Sequence, residues 1–112
     1  MSRLTIALAL ILTFVSYNSL AAEGNTPEFA IIIKDHKFQP TELTIPADTK
    51  VKLIVSNQDA TPEEFESHEL NREKVIPANS QAKIFVGPLE AGIYPFFGEF
   101  NQTTAQGKLI VK

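Results

Sequence analysis

The sequence predicts an all-β domain, a sandwich or barrel of short strands. Three observations carry that prediction. Apolar and polar residues alternate at period two over short runs, the spacing of a half-buried strand. Turn signals such as Pro46-Ala47-Asp48, Gly87-Pro88 and Ala91-Gly92 separate those runs. No internal repeat or low-complexity tract interrupts the rhythm, and the chain is long enough for one domain with one core.

Taken in order, Glu23 to Pro27 is a short polar lead-in. Phe29, Ile31 and Ile33 then share one face of a first strand, with Ala30 and Ile32 on the other. Leu43 and Ile45 alternate with polar neighbours before the Pro46-Ala47-Asp48 turn. Val51, Leu53 and Val55 alternate with Lys52, Ile54 and Ser56, and Ala82, Ile84 and Val86 repeat the pattern. Tyr94, Phe96, Leu109 and Val111 complete the apolar set. Pro95 lacks an N–H for a ladder, which points to an edge strand.

One segment departs from this rhythm. Asn57 to Asn71 is long and acidic, and Asp59, Glu63, Glu64, Glu66, Glu69 and Glu73 put six of the thirteen carboxylates within fifteen positions. Thr61-Pro62-Glu63-Glu64 has the form of a helix start: Thr as cap, Pro at the first helical position, acids in the first turn. The sequence therefore predicts one short helical turn here, followed by a strand around Ser67 to Leu70.

Residues 1–22 read as a secretory signal peptide and residues 23–112 as the mature domain. Arg3 supplies the positive end, Leu4 to Val15 the apolar core, and Ser19-Leu20-Ala21-Ala22 the small residues for cleavage after Ala21 or Ala22. The apolar core is well short of the ~20 residues of a spanning helix. An uncleaved N-terminal anchor is the alternative. The sequence has no cysteine, so a lipoprotein anchor, a disulfide, a thiolate metal ligand and a cysteine nucleophile are all excluded. The lone methionine is Met1, which leaves with the signal. Without Arg3, nine basic residues face thirteen acidic ones, a formal charge of −4. Nucleic acid is a poor partner for such a surface.

The run Gly92-Ile93-Tyr94-Pro95-Phe96-Phe97-Gly98-Glu99-Phe100-Asn101, continuing to Gly107 and the closing strand Lys108 to Val111, resembles the C-terminal metal-binding loop of the cupredoxins. Phe38-Gln39-Pro40 with Leu43-Thr44-Ile45-Pro46-Ala47-Asp48 resembles their opening signature, with Asp48 where Gly is usual. Val51 to Asn57 is similar to their next strand, which ends in Asn. The resemblance implies a Greek-key β-sandwich of seven to eight strands. Phe65-Glu66-Ser67, Arg72 to Ile76 and Phe96 to Phe100 resemble more narrowly the EfeO-type domains and their stand-alone periplasmic relatives in bacterial iron-uptake systems. Carried over position by position, the Cys ligand falls on Gly98, the second His on Asn101 and the axial Met near Ala105. The first His falls best on Glu66, with His68 two residues on.

Lacking thiolate and thioether, a metal site in this chain would be built of oxygen and imidazole, which suits Cu(II), Zn(II) or iron rather than Cu(I). Glu66, Glu99 and His68 are the primary candidates, with Glu64, Glu69 and His36 in reserve. The competing roles are ordinary ones. Glu66 or Glu99 would pair with Arg72, His68 would be a solvated edge residue, and the acidic run a solvated loop. No phosphate loop or nucleophile elbow is present, and Ser67 and His68 would point to opposite faces of a strand. The sequence thus implies a periplasmic accessory protein that binds copper or iron and works with a membrane iron transporter or another periplasmic metal-handling protein. Ferrous oxidation is compatible with that role, and a homodimer across the acidic loop would complete a partial ligand set. The rival expectation is a metal-free binding module with a degenerate site, docking a protein through Phe97 and Phe100.

Overall fold

A computed structural model describes residues 25–112; the signal segment lies outside them. Nine strands form two sheets. In chain order they are β1 (Glu28–Lys34), β2 (Lys37–Gln39), β3 (Glu42–Ile45), β4 (Val51–Asn57), β5 (Glu63–Ser67), β6 (Arg72–Ile76), β7 (Ser80–Val86), β8 (Gly92–Gly98) and β9 (Gln106–Val111). The four-stranded sheet has the order β2-β1-β4-β7 and the five-stranded sheet the order β3-β9-β8-β5-β6. The chain crosses between sheets repeatedly, with β1–β4 and β3–β9 parallel and the other pairs antiparallel. The fold is the expected all-β sandwich. Nine strands replace seven to eight because Asp35 and His36, both at positive φ, turn the chain sharply enough for a three-residue β2 to pair back on β1.

Alternation sets the core. Ile31 and Ile33 of β1, Val51, Leu53 and Val55 of β4, and Ile84 and Val86 of β7 face inward from one sheet. Phe65, Phe96, Leu109 and Val111 face them from the other. Phe38, Phe65 and Phe96 form an aromatic cluster. Phe96 stands edge-on to Phe38 at 4.9 Å and stacks on Phe65 at 5.0 Å between ring centroids. Asp48, at the place where Gly is usual in the resembling turn, has φ 54°. Asp tolerates this left-handed conformation better than most residues with a Cβ.

Asn57 ends β4 in register with the inward-facing Ile33, so its amide is buried. It is fully used there. Nδ2 donates to the carbonyls of Thr61, Ile76 and Pro77 at 2.9, 3.1 and 3.3 Å, and Oδ1 accepts from Asp59 N–H at 3.0 Å. One side chain thus joins the end of the first sheet to the entry of β5 and the exit of β6.

Two expectations are corrected. Thr61 to Glu64 makes no helical turn, since Glu63 and Glu64 already belong to β5 and the strand ends at Ser67. Phe65 must reach the core, and an extended segment puts it there; helix-start chemistry is local and weak against that burial. Among the described residues the helical element is instead a 3₁₀ turn, Glu99–Asn101. Pro95 does not lie on an edge strand, because β8 sits between β9 and β5. The β5–β8 ladder stops at Glu66↔Phe97, before it would need the missing N–H, and Ser67 Oγ donates instead to the Pro95 carbonyl at 2.6 Å.

Candidate functional site

β5 presents two chemically different faces at one end of the sandwich. Glu63, Phe65 and Ser67 point inward; Glu64 and Glu66 point outward, half-buried, with exposed His68 just beyond the strand.

On the outer face, β6 brings Glu73 directly opposite Glu66. Glu64, Glu66 and Glu73 each offer a carboxylate oxygen, and these oxygens lie within 4.8 Å of one another. Glu99, from the 3₁₀ turn, comes close enough to the Glu66 carboxyl to help raise its pKa, and the His68 charge acts on Glu66 in the opposite sense. The His68 ring leans on Phe97 at 5.6 Å. The structure therefore brings Glu66, Glu99 and His68 into one neighbourhood and adds Glu64 and Glu73 to it. Glu69 is exposed in the turn after β5. His36 is elsewhere engaged, with Nδ1 3.6 Å from Asp59 Oδ2. Arg72 does not neutralise this cluster. Its guanidinium donates to the carbonyls of Phe85, Leu70 and Asn71, tying β6 to β7.

Like charges facing each other across strands are unfavourable, and two of these carboxyls, Glu66 and Glu64, are held above the ordinary range. Partial removal from water is the first cause that holds Glu66 above the ordinary carboxyl value of 4.5; the hydrogen bond and charge of Glu99 and the charge of Glu73 add to it. Glu64 is raised in the same order of causes, by desolvation, then by Glu73. A raised carboxyl pKa contributes stability that is complete below the unfolded value and lost as pH rises through the folded value. Glu66→Gln is therefore expected to melt higher than the native protein near pH 7, with the difference vanishing at about pH 4. Melting curves at the two pH values check this, and an equal separation at both would show that the repulsion is absent. Asp59 has the opposite sign. Backbone N–H donation from His36, and less from Asp35, lowers it below 3.8, so its contribution is lost only as pH falls through a lower window.

Behind this face lies a site that sequence reading missed. Glu63 is 1 % exposed. Its Oε1 accepts from the N–H of Glu64 at 2.9 Å and of Phe100 at 2.8 Å, and its Oε2 accepts from Asn101 Nδ2 at 2.8 Å. A Cβ built on Gly98 would lie 2.6 Å from Glu63 Cδ and 2.7 Å from Ala105 Cβ. Gly98, Asn101 and Ala105, the three loop positions carried over from the cupredoxin pattern, thus converge on Glu63 rather than on Glu66, which points the other way.

The two-sheet fold and this convergence define a cupredoxin-like protein. The chain belongs to the cupredoxin-like domain family, whose model matches residues 4–111. It is 49 % identical over 87 residues to an uncharacterised protein of Rickettsia prowazekii (strain Madrid E), covering 78 % of this chain and 70 % of that one. Among solved structures it is similar to auracyanin A, a "blue" copper protein of Chloroflexus aurantiacus. That match has a TM-score of 0.68 at 18 % identity and covers 79 % of this chain and all of the other. It is also similar to the metal-binding domain of a Cu(I)-exporting P-type ATPase of Streptococcus pneumoniae, with a TM-score of 0.68 at 14 % identity, covering 76 % and 84 %. Amicyanin of Paracoccus versutus has a TM-score of 0.62 at 20 % identity, covering 82 % and 88 %.

A blue-copper centre does not fit the residues at the loop. The chain has no thiolate to offer, Gly98 and Ala105 carry no donor side chains, and the Glu63 carboxyl fills the space into which a side chain at 98 would project.

Proposed function

We propose that this is an exported, periplasmic cupredoxin-like protein that binds Cu(II) or iron on its outer sheet face and assists metal uptake, with a membrane iron transporter or another periplasmic metal-handling protein as its partner. The observation that carries this reading is the meeting of Glu64, Glu66 and Glu73 oxygens within 4.8 Å, with Glu99 against Glu66 and His68 alongside. Carboxylate oxygen with one imidazole suits Cu(II) and iron and does not stabilise Cu(I) as sulfur does. Bringing these acids together is unfavourable in the metal-free protein, and a cation would offset that repulsion. Binding on an open face also suits a protein that captures an ion and passes it on. The resemblance of Phe65 to Ser67 and Phe96 to Phe100 to the EfeO-type domains supports iron as cargo. An outer-face site leaves room for a second copy to complete the coordination.

Equilibrium dialysis of the mature domain against Cu(II), Fe(II), Fe(III) and Zn(II), read by metal analysis, tests the reading. Near-stoichiometric retention of Cu(II) or iron at micromolar concentration is expected. Retention of none would favour a second reading, the metal-free docking module. The exposed Phe100 (52 %) at the loop edge and the Glu63-filled loop support that alternative.

A further inference from the structure

Glu63 is the buried charged side chain of the described residues, and the cation reading leaves it unused. A carboxylate withdrawn from water is tolerated only where donors replace the water. Here two of its three donors, Phe100 N–H and Asn101 Nδ2, come from a loop 37 and 38 residues away in sequence. That loop also closes on itself: Gly98 N–H donates to the Ala105 carbonyl and Ala105 N–H to the Asn101 carbonyl, both at 2.8 Å.

We propose that Glu63 is a hydrogen-bonded latch that clamps the Gly98–Ala105 loop onto β5 and holds this end of the fold together without a metal ion. The Glu63 carboxylate ties β5 to the loop with two hydrogen bonds, from Phe100 N–H and Asn101 Nδ2, and the loop residues fit it as a set. Gly98 leaves room for the carboxyl, Ala105 closes the space with a single methyl, and Asn101 supplies the donor for Oε2. The backbone of Glu64 and Phe100 is fixed by the same oxygen. Glu63 is thus a positioning residue for the segments that carry Glu64 and Glu99 to the outer face. The latch stands on its own geometry and does not depend on whether that face binds a cation.

The test is a swap of polarity across the Glu63–Asn101 hydrogen bond. In Glu63→Gln the amide oxygen still accepts from the backbone, and Asn101 can turn its amide over so that its oxygen accepts from the introduced NH₂, which makes this variant the near-native control. In Asn101→Asp two carboxylates meet. Combining Glu63→Gln with Asn101→Asp restores the native net charge and re-forms the hydrogen bond in reverse, the introduced amide donating to the introduced carboxylate. Hydrogen exchange of the Phe100 and Ala105 amides in the metal-free protein is the readout. Asn101→Asp is expected to exchange about ten- to a hundredfold faster than the native protein, the range set by leaving a buried polar group unpaired, and Glu63→Gln to exchange at about the native rate. The double variant is expected to return to about the native rate. Exchange unchanged in Asn101→Asp would overturn the latch, as would a double variant that exchanges as fast as that single variant. Should Asn101→Asp fail to fold, the double variant is still expected to fold, and its failure would overturn the proposal equally. Chelator is expected to leave native exchange at these amides unaltered; an acceleration of about tenfold or more on chelation would show that an ion, not Glu63, holds the loop.

Discussion

Replacing Phe96 by alanine is expected to lower the free energy of unfolding by about 3–5 kcal/mol, a large share of the ~5–15 kcal/mol that stabilises a small domain. The ring is fully enclosed and touches both other members of the aromatic cluster, Phe38 edge-on and Phe65 face to face. It also lies over the backbone of β9, where a Cβ on Gly107 would stand 2.6 Å from its Cζ. Truncation would leave a cavity bounded on three sides by groups that cannot readily move in. Phe65 is fixed by its β5–β8 pairing, Phe38 by β2, and Gly107 has no side chain to offer. Without cysteines, packing must supply what disulfides supply in many small domains. Chemical denaturation with urea checks the value. A fall of less than about 1 kcal/mol would mean that the cluster closes over the gap, contrary to the tight packing of such interiors.

The fold was legible because its evidence is periodic. Val51, Leu53 and Val55, or Ala82, Ile84 and Val86, announce their inward face by alternation alone, and the structure places them accordingly. The β5 segment misled because two local signals conflict there. Thr61-Pro62-Glu63-Glu64 carries a helix-start pattern, and reading it so separated Glu63 from the parity of Phe65. Read as a strand, the same residues place Glu63 on the face of Phe65 and Ser67, which is where the structure has it. A buried Glu is uncommon enough that the sequence alone argues against it. Its partners lie at the far end of the chain, and no local pattern reports a contact between positions 63 and 101. Glu66 was drawn to the loop by sequence spacing, since the pattern's first ligand follows the Asn-terminated strand. Strand parity, which spacing ignores, turns Glu66 outward and Glu63 inward. Glu73, named in the acidic run, is not among the candidate ligands for a related reason: only the β5–β6 register sets it opposite Glu66.

Removing Glu66 and Glu73 together is expected to abolish cation retention while the fold persists. These two carboxylates face each other across β5 and β6 and, with Glu64, supply the oxygens that meet on the outer face. Loss of a group that merely supports a metal ligand typically weakens binding roughly ten- to a hundredfold, so the loss of two ligands should exceed that range. Glu66→Ala alone is expected to remove most of the affinity, because Glu66 stands among Glu64 and Glu73 and feels the charges of Glu99 and His68. Glu69→Ala, on the exposed turn beyond the strand, is expected to leave binding unchanged. Protons compete for the same oxygens, so native affinity should fall as pH drops through the raised values of Glu64 and Glu66. Cu(II) dialysis of the three variants and a native pH series decide the matter. If the Glu66→Ala, Glu73→Ala double variant binds as the native protein does, the cation lies elsewhere and the outer face is only an acidic surface. If it loses binding and melts no lower than the native protein near neutral pH, the carboxylates serve the ion and not the fold. That outcome would place the cation site of this cupredoxin-like protein on the outside of a sheet, one strand-face away from the loop where Glu63 fills the interior.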